Sequence, residues 1–145
     1  MQIKRSTLLV VFFLLVLAGC STATPQSGTP LPTPKADSAV VTGRIMNPAG
    51  QPYTDEYVFL AEVNYNDQHQ GAYFLDTARS PGTKSDSNGY FHFDSIPPKD
   101  YVVVIGDPVG RSVALTDKST GNPKIWKIEA GKTLEMGDLK FDYGN

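Results

Sequence analysis

SDSNGYFHFDSIPPKDYVVVI, residues 85–105, holds two strands and the turns that enter and join them. Asn88-Gly89 is a tight-turn signal, because glycine accepts the positive φ that a two-residue hairpin turn demands. Phe91 and Phe93 then alternate with Tyr90 and His92, the period of a half-buried strand, so a strand is predicted over Tyr90–Phe93. Pro97-Pro98-Lys99-Asp100 forms the next turn, since proline cannot donate to a ladder. Tyr101–Ile105 is an unbroken apolar run. Such a run predicts a strand covered on both faces, or one with core on one side and a neighbour on the other.

The same punctuation continues in both directions. Upstream, Val40–Ile45 reads as a first strand closed by Asn47-Pro48-Ala49-Gly50, Tyr57–Val63 as a second, and Tyr73–Leu75 as a short third piece. Downstream, Asp107-Pro108-Val109-Gly110 ends the Tyr101 strand, and Arg111–Leu115 pairs weakly. Lys124–Ile128 and Thr133–Phe141 then close the domain around an Ala130-Gly131 turn. No window sustains a helical period. About seven strands are therefore expected, enough for two facing sheets, over a domain of 38–145.

The order of these signals resembles the carboxypeptidase regulatory-like domain, a transthyretin/prealbumin-like, Greek-key β-sandwich. That family combines a Val-x-Gly first strand, a turn ending near Gly-x-Pro and a Val-x-Leu strand with an Asp-x-x-Gly-x-Phe-x-Phe hairpin and a Tyr-leading strand. Val41 and Gly43, Gly50 and Pro52, Val58 and Leu60, and Asp86, Gly89, Phe91, Phe93 and Tyr101 fill those places in order. The resemblance covers Val40–Ile105 firmly and the closing strands weakly. It implies an all-β fold and an accessory, adhesive or positioning role outside the cell. It implies little about chemistry, because none of the matching side chains is reactive in that role. The stretch Asn64–Tyr73 is an insertion that the family pattern does not require. Related pilin sandwiches carry a lysine–asparagine crosslink, but the first strand offers only Arg44, so no such bond is expected.

The N-terminus carries its own signal. Lys4 and Arg5 precede an uncharged run from Leu8 to Leu17, then small Ala18 and Gly19. Ten apolar residues fall short of the ~20 that a spanning helix needs. Leu17-Ala18-Gly19-Cys20 resembles the bacterial lipobox, which implies a signal peptide over 1–19, cleavage before Cys20 and lipid on its thiol. Cys20 is the only cysteine, so no intrachain disulfide is possible and the exported domain relies on its core. Ser21 at the following position implies the outer membrane if the source has two membranes, and otherwise the outer face of the cell membrane. Residues 20–37 are rich in Ser, Thr and Pro, with prolines at 25, 30, 32 and 34. They read as a disordered, semi-stiff tether that reaches roughly 50 Å if extended.

The chain holds 13 basic and 15 acidic residues. Removing Lys4 and Arg5 leaves 11 against 15, a net charge of −4, which argues against a nucleic-acid partner. A zinc site would need His69, His92 and an acid to converge from separate segments. No glycine-rich phosphate loop and no G-x-S-x-G elbow occurs. The hydroxyisourate hydrolases share the transthyretin-type fold, but their Tyr-Arg-Gly-Ser motif is absent. Asp86-Ser87-Asn88-Gly89 lacks the alternating oxygens and distant Glu of a calcium loop and reads as a turn. No catalytic residue, metal or cofactor is expected.

Two side-chain groups stay open at this level. Tyr65, His69 and Tyr73, set among Asn64, Asn66, Asp67 and Gln68, mix flat rings with amides, which suits sugar or peptide recognition, or they are a solvated loop covering the sandwich edge. Trp126 shares a face with Ile128, which places it in the core, the alternative being an exposed stacking platform. The expectation is a non-enzymatic envelope lipoprotein whose sandwich binds or positions another envelope component. The alternatives are a carbohydrate- or peptide-binding module using the 64–73 loop, and a small hydrolase centred on His69 or His92. The lipid reading has a direct check: Cys20→Ser should move the protein from the membrane fraction to the soluble fraction on fractionation.

Overall fold

Where apolar residues alternate or run unbroken the chain is extended, and the computed structural model, which describes residues 31–144, contains nine strands, most of them so marked. They are β1 Ala39–Met46, β2 Tyr57–Tyr65, β3 Gly71–Phe74, β4 Gly82–Lys84, β5 Tyr90–Ile96, β6 Asp100–Gly106, β7 Ser112–Ala114, β8 Ile125–Lys127 and β9 Thr133–Lys140. The expected signal peptide, Cys20 and the expected tether up to residue 30 lie outside the described residues.

One sheet has the order β5-β1-β9, with β5 antiparallel and β9 parallel to β1. The second is centred on the antiparallel pair β2–β6. Both β3 and β4 pair with the outer edge of β2, and both β7 and β8 with the outer edge of β6. Nine strands therefore fill seven positions, three in one sheet and four in the other. About seven strands were expected and nine form, because two sheet positions are each filled by a pair of short strands. β4 was not expected at all, because Gly82-Thr83-Lys84 has no apolar residue to mark it.

The two sheets face each other across a single apolar layer. Val41, Ile45, Phe91, Phe93 and Leu139 of the first meet Val58, Leu60, Tyr101, Val103, Ile105 and Trp126 of the second. Each fully buried aliphatic side chain there stabilises the fold by about 1.5–3 kcal/mol. A second apolar cluster lies on the other face of the second sheet, made by Phe59, Ala61, Val63, Val102 and Val104 with Leu75 and Ala114 against it. The continuous run in β6 is thus buried on both faces, as its lack of alternation predicts. Trp126 and Ile128 are both core residues. At one end of the layer, the Tyr53 ring stacks on Phe141 at 4.6 Å, and Tyr143 meets Phe141 edge-on at 5.3 Å.

β5 belongs to a different sheet from β4 before it and β6 after it, so the chain crosses between layers on either side of it. At the first crossing Ser85 is buried. Its hydroxyl donates to the Tyr53 carbonyl (2.8 Å) and accepts from Glu56 N–H (3.1 Å). The Asp86 carboxylate then accepts from the N–H groups of Asn88 (2.8 Å) and Tyr90 (2.9 Å), closing the turn. Both bonds end on the same oxygen, Oδ1. Gly89 follows at φ 81°, its carbonyl accepting from Ile45 N–H at 2.8 Å. At the second crossing the Tyr101 hydroxyl donates to the Pro97 carbonyl at 3.2 Å.

The outer strands are irregular. β5 has one residue more than β1 between the pairs Ala39–Ile96 and Val41–Phe93, a bulge that includes Ser95 at φ 54°. β9 has a matching bulge between Thr42–Glu135 and Arg44–Asp138, with Gly137 at φ 68°. Exposed Lys132, Glu135, Asp138 and Lys140 line β9 or adjoin it. β4, β7 and β8 have three residues each, too short to offer a long free edge.

The crossing at Gly89 is tight enough to test. A Cβ there would lie 2.5 Å from the Ile45 carbonyl oxygen and 3.0 Å from Pro52 Cβ. Gly121 has a similar φ of 72° but open space around it. Gly89→Ala should cost about 2 kcal/mol or more and Gly121→Ala about 1 kcal/mol, read from urea midpoints.

Candidate ligand-binding site

The polar stretch 66–70, which reads as an irregular loop, is the tip of the β2–β3 hairpin. Asn66 N–H donates to the Gln70 carbonyl (3.1 Å), and His69 N–H donates to the Asn66 carbonyl (2.9 Å). The Asn66 side-chain oxygen accepts from Gln68 N–H (3.0 Å) and Gln70 N–H (2.8 Å), while its amide donates to Gln70 Oε1 (2.9 Å). The same backbone pattern closes Asn47–Gln51 and Asp86–Tyr90. In those two turns the fourth residue is glycine, Gly50 at φ 85° and Gly89 at φ 81°. Here it is His69 at φ 58°. A histidine therefore stands where its siblings use glycine, in the left-handed region that side chains ordinarily avoid.

The strands below the tip orient the tyrosines. Alternation along β2 puts Tyr65 on the face that carries Phe59, Ala61 and Val63. The register pairs Val63 with Tyr73 and Tyr65 with Gly71. Directly opposed residues of an antiparallel pair share a face, so Tyr65 and Tyr73 stand on the same side of the hairpin. Gly71 makes room for the ring, since a Cβ there would sit 2.9 Å from Tyr65 Cε1. Both tyrosines are exposed, at 49% and 41%. The Tyr65 hydroxyl donates to Asp100 Oδ2 at 2.7 Å, a hydrogen bond that holds its phenol above the ordinary tyrosine range. Beside it, Lys99 pairs with Glu62 at 2.7 Å. Phe74, paired with Glu62, points to the opposite face and is more exposed than either tyrosine.

Of the three expected contact residues, the fold brings Tyr65 and Tyr73 onto one face and sets His69 at the tip between their strands. The surrounding amides are less available than the sequence suggests, because Asn66 and Gln70 are spent on each other. His92 is exposed on β5, opposite Thr42 in the other sheet from His69. It lines a shallow cleft of about 230 Å³ with Pro81, Thr83 and Asp94. Among the described residues, no three His, Cys, Asp or Glu side chains are placed to hold a metal ion.

A larger cleft, of about 480 Å³, went unmarked in the sequence. It opens where the β7–β8 edge of one sheet parts from β9 of the other. Leu115, Trp126 and Leu139 line it, with Asp117, Lys118, Lys124, Asp138 and Lys140 around them. Lys124 Nζ lies 4.8 Å from the centroid of the Trp126 ring. The sequence signal was the polar loop 116–123 set between two apolar positions, Leu115 and Trp126, that both turn inward.

No family model matches the chain, and no curated protein matches it. Solved structures give distant likenesses. One is a Pseudomonas aeruginosa protein proposed to bind carbohydrate, 16% identical with a TM-score of 0.46, covering 77% of this chain and 100% of its own. The major pilin subunit of Bacillus cereus is 15% identical (TM-score 0.42), over 72% of this chain and 30% of the pilin. The 3-chlorocatechol 1,2-dioxygenase of Rhodococcus opacus is 12% identical (TM-score 0.40), over 77% of this chain and 62% of the enzyme. Likenesses this distant do not bear on activity or ligand.

The left-handed histidine gives a stability test. His69→Gly relieves a strained φ and should stabilise the domain by about 0.5–1 kcal/mol, seen as a higher urea midpoint. An unchanged or lower midpoint would mean that the histidine side chain makes compensating contacts.

Proposed function

We propose that this chain is a lipid-anchored envelope protein whose β-sandwich is a non-catalytic binding module, holding a glycan or peptide of the cell envelope on the hairpin face that carries Tyr65 and Tyr73. The observation that carries this reading is the pairing of two exposed tyrosines on one face of a closed hairpin, one of them held by Asp100. Tyrosine supplies broad contact area at small conformational cost, because it has only two side-chain torsions. Holding the ring in place before the ligand arrives lowers that cost further. Its ring packs on the C–H face of a sugar or on a peptide side chain, and its hydroxyl bonds the polar groups.

The anchor is proposed from the lipobox resemblance at Leu17–Cys20, and the accessory role from the resemblance to the carboxypeptidase regulatory-like domain. With lipid on Cys20 the domain stands at the outer membrane of a two-membrane source, or on the outer face of a single membrane. A module held there meets its ligand at high local concentration, so a weak individual contact suffices.

The test is a glycan and peptidoglycan-fragment array probed with the full chain and with Tyr65→Ala and Tyr73→Ala. Each substitution should weaken any captured ligand about tenfold, as loss of an aromatic contact does. Binding that is absent from the wild type, or as strong in both variants as in the wild type, would sink the proposal.

A further inference from the structure

The larger cleft has the features of a built site. It lies on the far side of β2 and β6 from the β2–β3 hairpin, at the edge where β7 and β8 face β9. Its floor is apolar, since Leu115, Trp126 and Leu139 are core residues, each only 8% exposed, that close the layer between the sheets. Its rim is charged on both sides, by Lys118 and Lys124 from the loop and by Asp138 and Lys140 from β9. At about 480 Å³ it is an open groove, so a ligand lying in it keeps one side in solvent.

The charges around it are unequal in availability. The Asp117 carboxylate is committed to its own turn: it accepts from Ser119 N–H (2.8 Å), Thr120 N–H (3.3 Å) and the Ser119 hydroxyl. Those donors hold its pKa below the ordinary carboxylate range, so it is already stabilised as an anion. Lys118, Lys124 and Lys140 take no part in the four ion pairs found among the described residues. Lys124 rests on the indole instead. Three lysines, none within ion-pair distance of a carboxylate, thus outnumber the two carboxylates of the lining, Asp117 in the field of Lys124 and Asp138 on β9, around a floor on which an apolar ring face can lie.

We infer that this cleft binds an acidic saccharide, its carboxylate held by the lysines and one ring face packed against the Trp126 edge and the lysine stems. Sugar C–H faces pack on apolar and aromatic surface, and lysine covers such surface with its methylenes while its ammonium stays at the rim. An extended acidic peptide is the poorer fit. Peptides add to sheets through a run of free backbone groups, whereas β7 and β8 have three residues each and β9 is broken by its bulge at Gly137 next to Asp138. Recognition here rests on side chains around a compact ligand. The inference is independent of the hairpin site.

The chain reports on the cleft by itself, because Trp126 is its only tryptophan and Lys124 lies over it. A carboxylate that draws Lys124 away changes the field at the indole and hence its emission. The experiment titrates the full chain in detergent with trigalacturonate, cellotriose and triglutamate, following Trp126 fluorescence. A saturable change is expected with trigalacturonate, weaker at high salt, and none with cellotriose. The double variant Lys118→Gln with Lys140→Gln, both exposed positions, should weaken it about tenfold or more. Tyr65→Ala with Tyr73→Ala should leave it unchanged, which separates this site from the hairpin. The inference is overturned by no saturable change up to about 10 mM trigalacturonate, by an equal response to cellotriose, by a response to triglutamate alone, or by an unaltered titration in the lysine variant.

Discussion

Everything in this sandwich depends on β5 lying in the opposite layer from the strands on either side of it in sequence. A chain that leaves one ladder and enters another passes backbone groups through the rim of the core, where each must find a partner. At Ser85 the partner is the buried hydroxyl, which answers one N–H and one carbonyl together. At Pro97-Pro98 two backbone donors are simply missing, and the Tyr101 phenol supplies a proton to the Pro97 carbonyl. Burial, and then the Glu62 carboxylate, push the Tyr101 pKa up to about 12, so it remains a donor throughout the neutral range. With both crossings secured, Phe91 and Phe93 come to lie opposite Tyr101, Val103 and Ile105.

That arrangement also explains which parts of the molecule could be read from the amino acids. Phe91 and Phe93 announce an inward face because their period is two, and the Tyr101–Ile105 run announces two covered faces because it has no period. Strand partners are another matter. Nothing in Thr133–Lys140 says that it runs parallel to β1, since a hydrophobic pattern carries no direction. Gly82–Lys84 is a strand only because Gly82 fits against the Phe59 ring, a tertiary fact with no local trace.

The candidate sites divide in the same way. Tyr65, His69 and Tyr73 were legible as a group by their residue types, yet their common geometry depends on a turn that the sequence disguises with a histidine in the glycine place. Comparing Asn66–Gln70 with Asn47–Gln51 would have exposed it, because both begin with Asn and end with Gln. Trp126 was rightly placed in the core, but that placement hid its second role. A residue that closes a core at a sheet edge also floors whatever opens beyond that edge. The two proposed sites would recognise in different ways, one through aromatic faces and one through charge, and only the second would weaken strongly with ionic strength.

The bulges at Ser95 and Gly137 have a meaning beyond the single molecule. On the lipid anchor proposed above, copies of the domain would diffuse in two dimensions, where encounters are frequent and orientation is partly shared. A straight, unpaired strand displayed under those conditions is a template on which the next copy can zip, and the product is a fibre. Twisting both outer strands of the three-stranded sheet, and setting charges along one of them, removes that template. The edges of the sandwich thus bear on self-association as well as on stability.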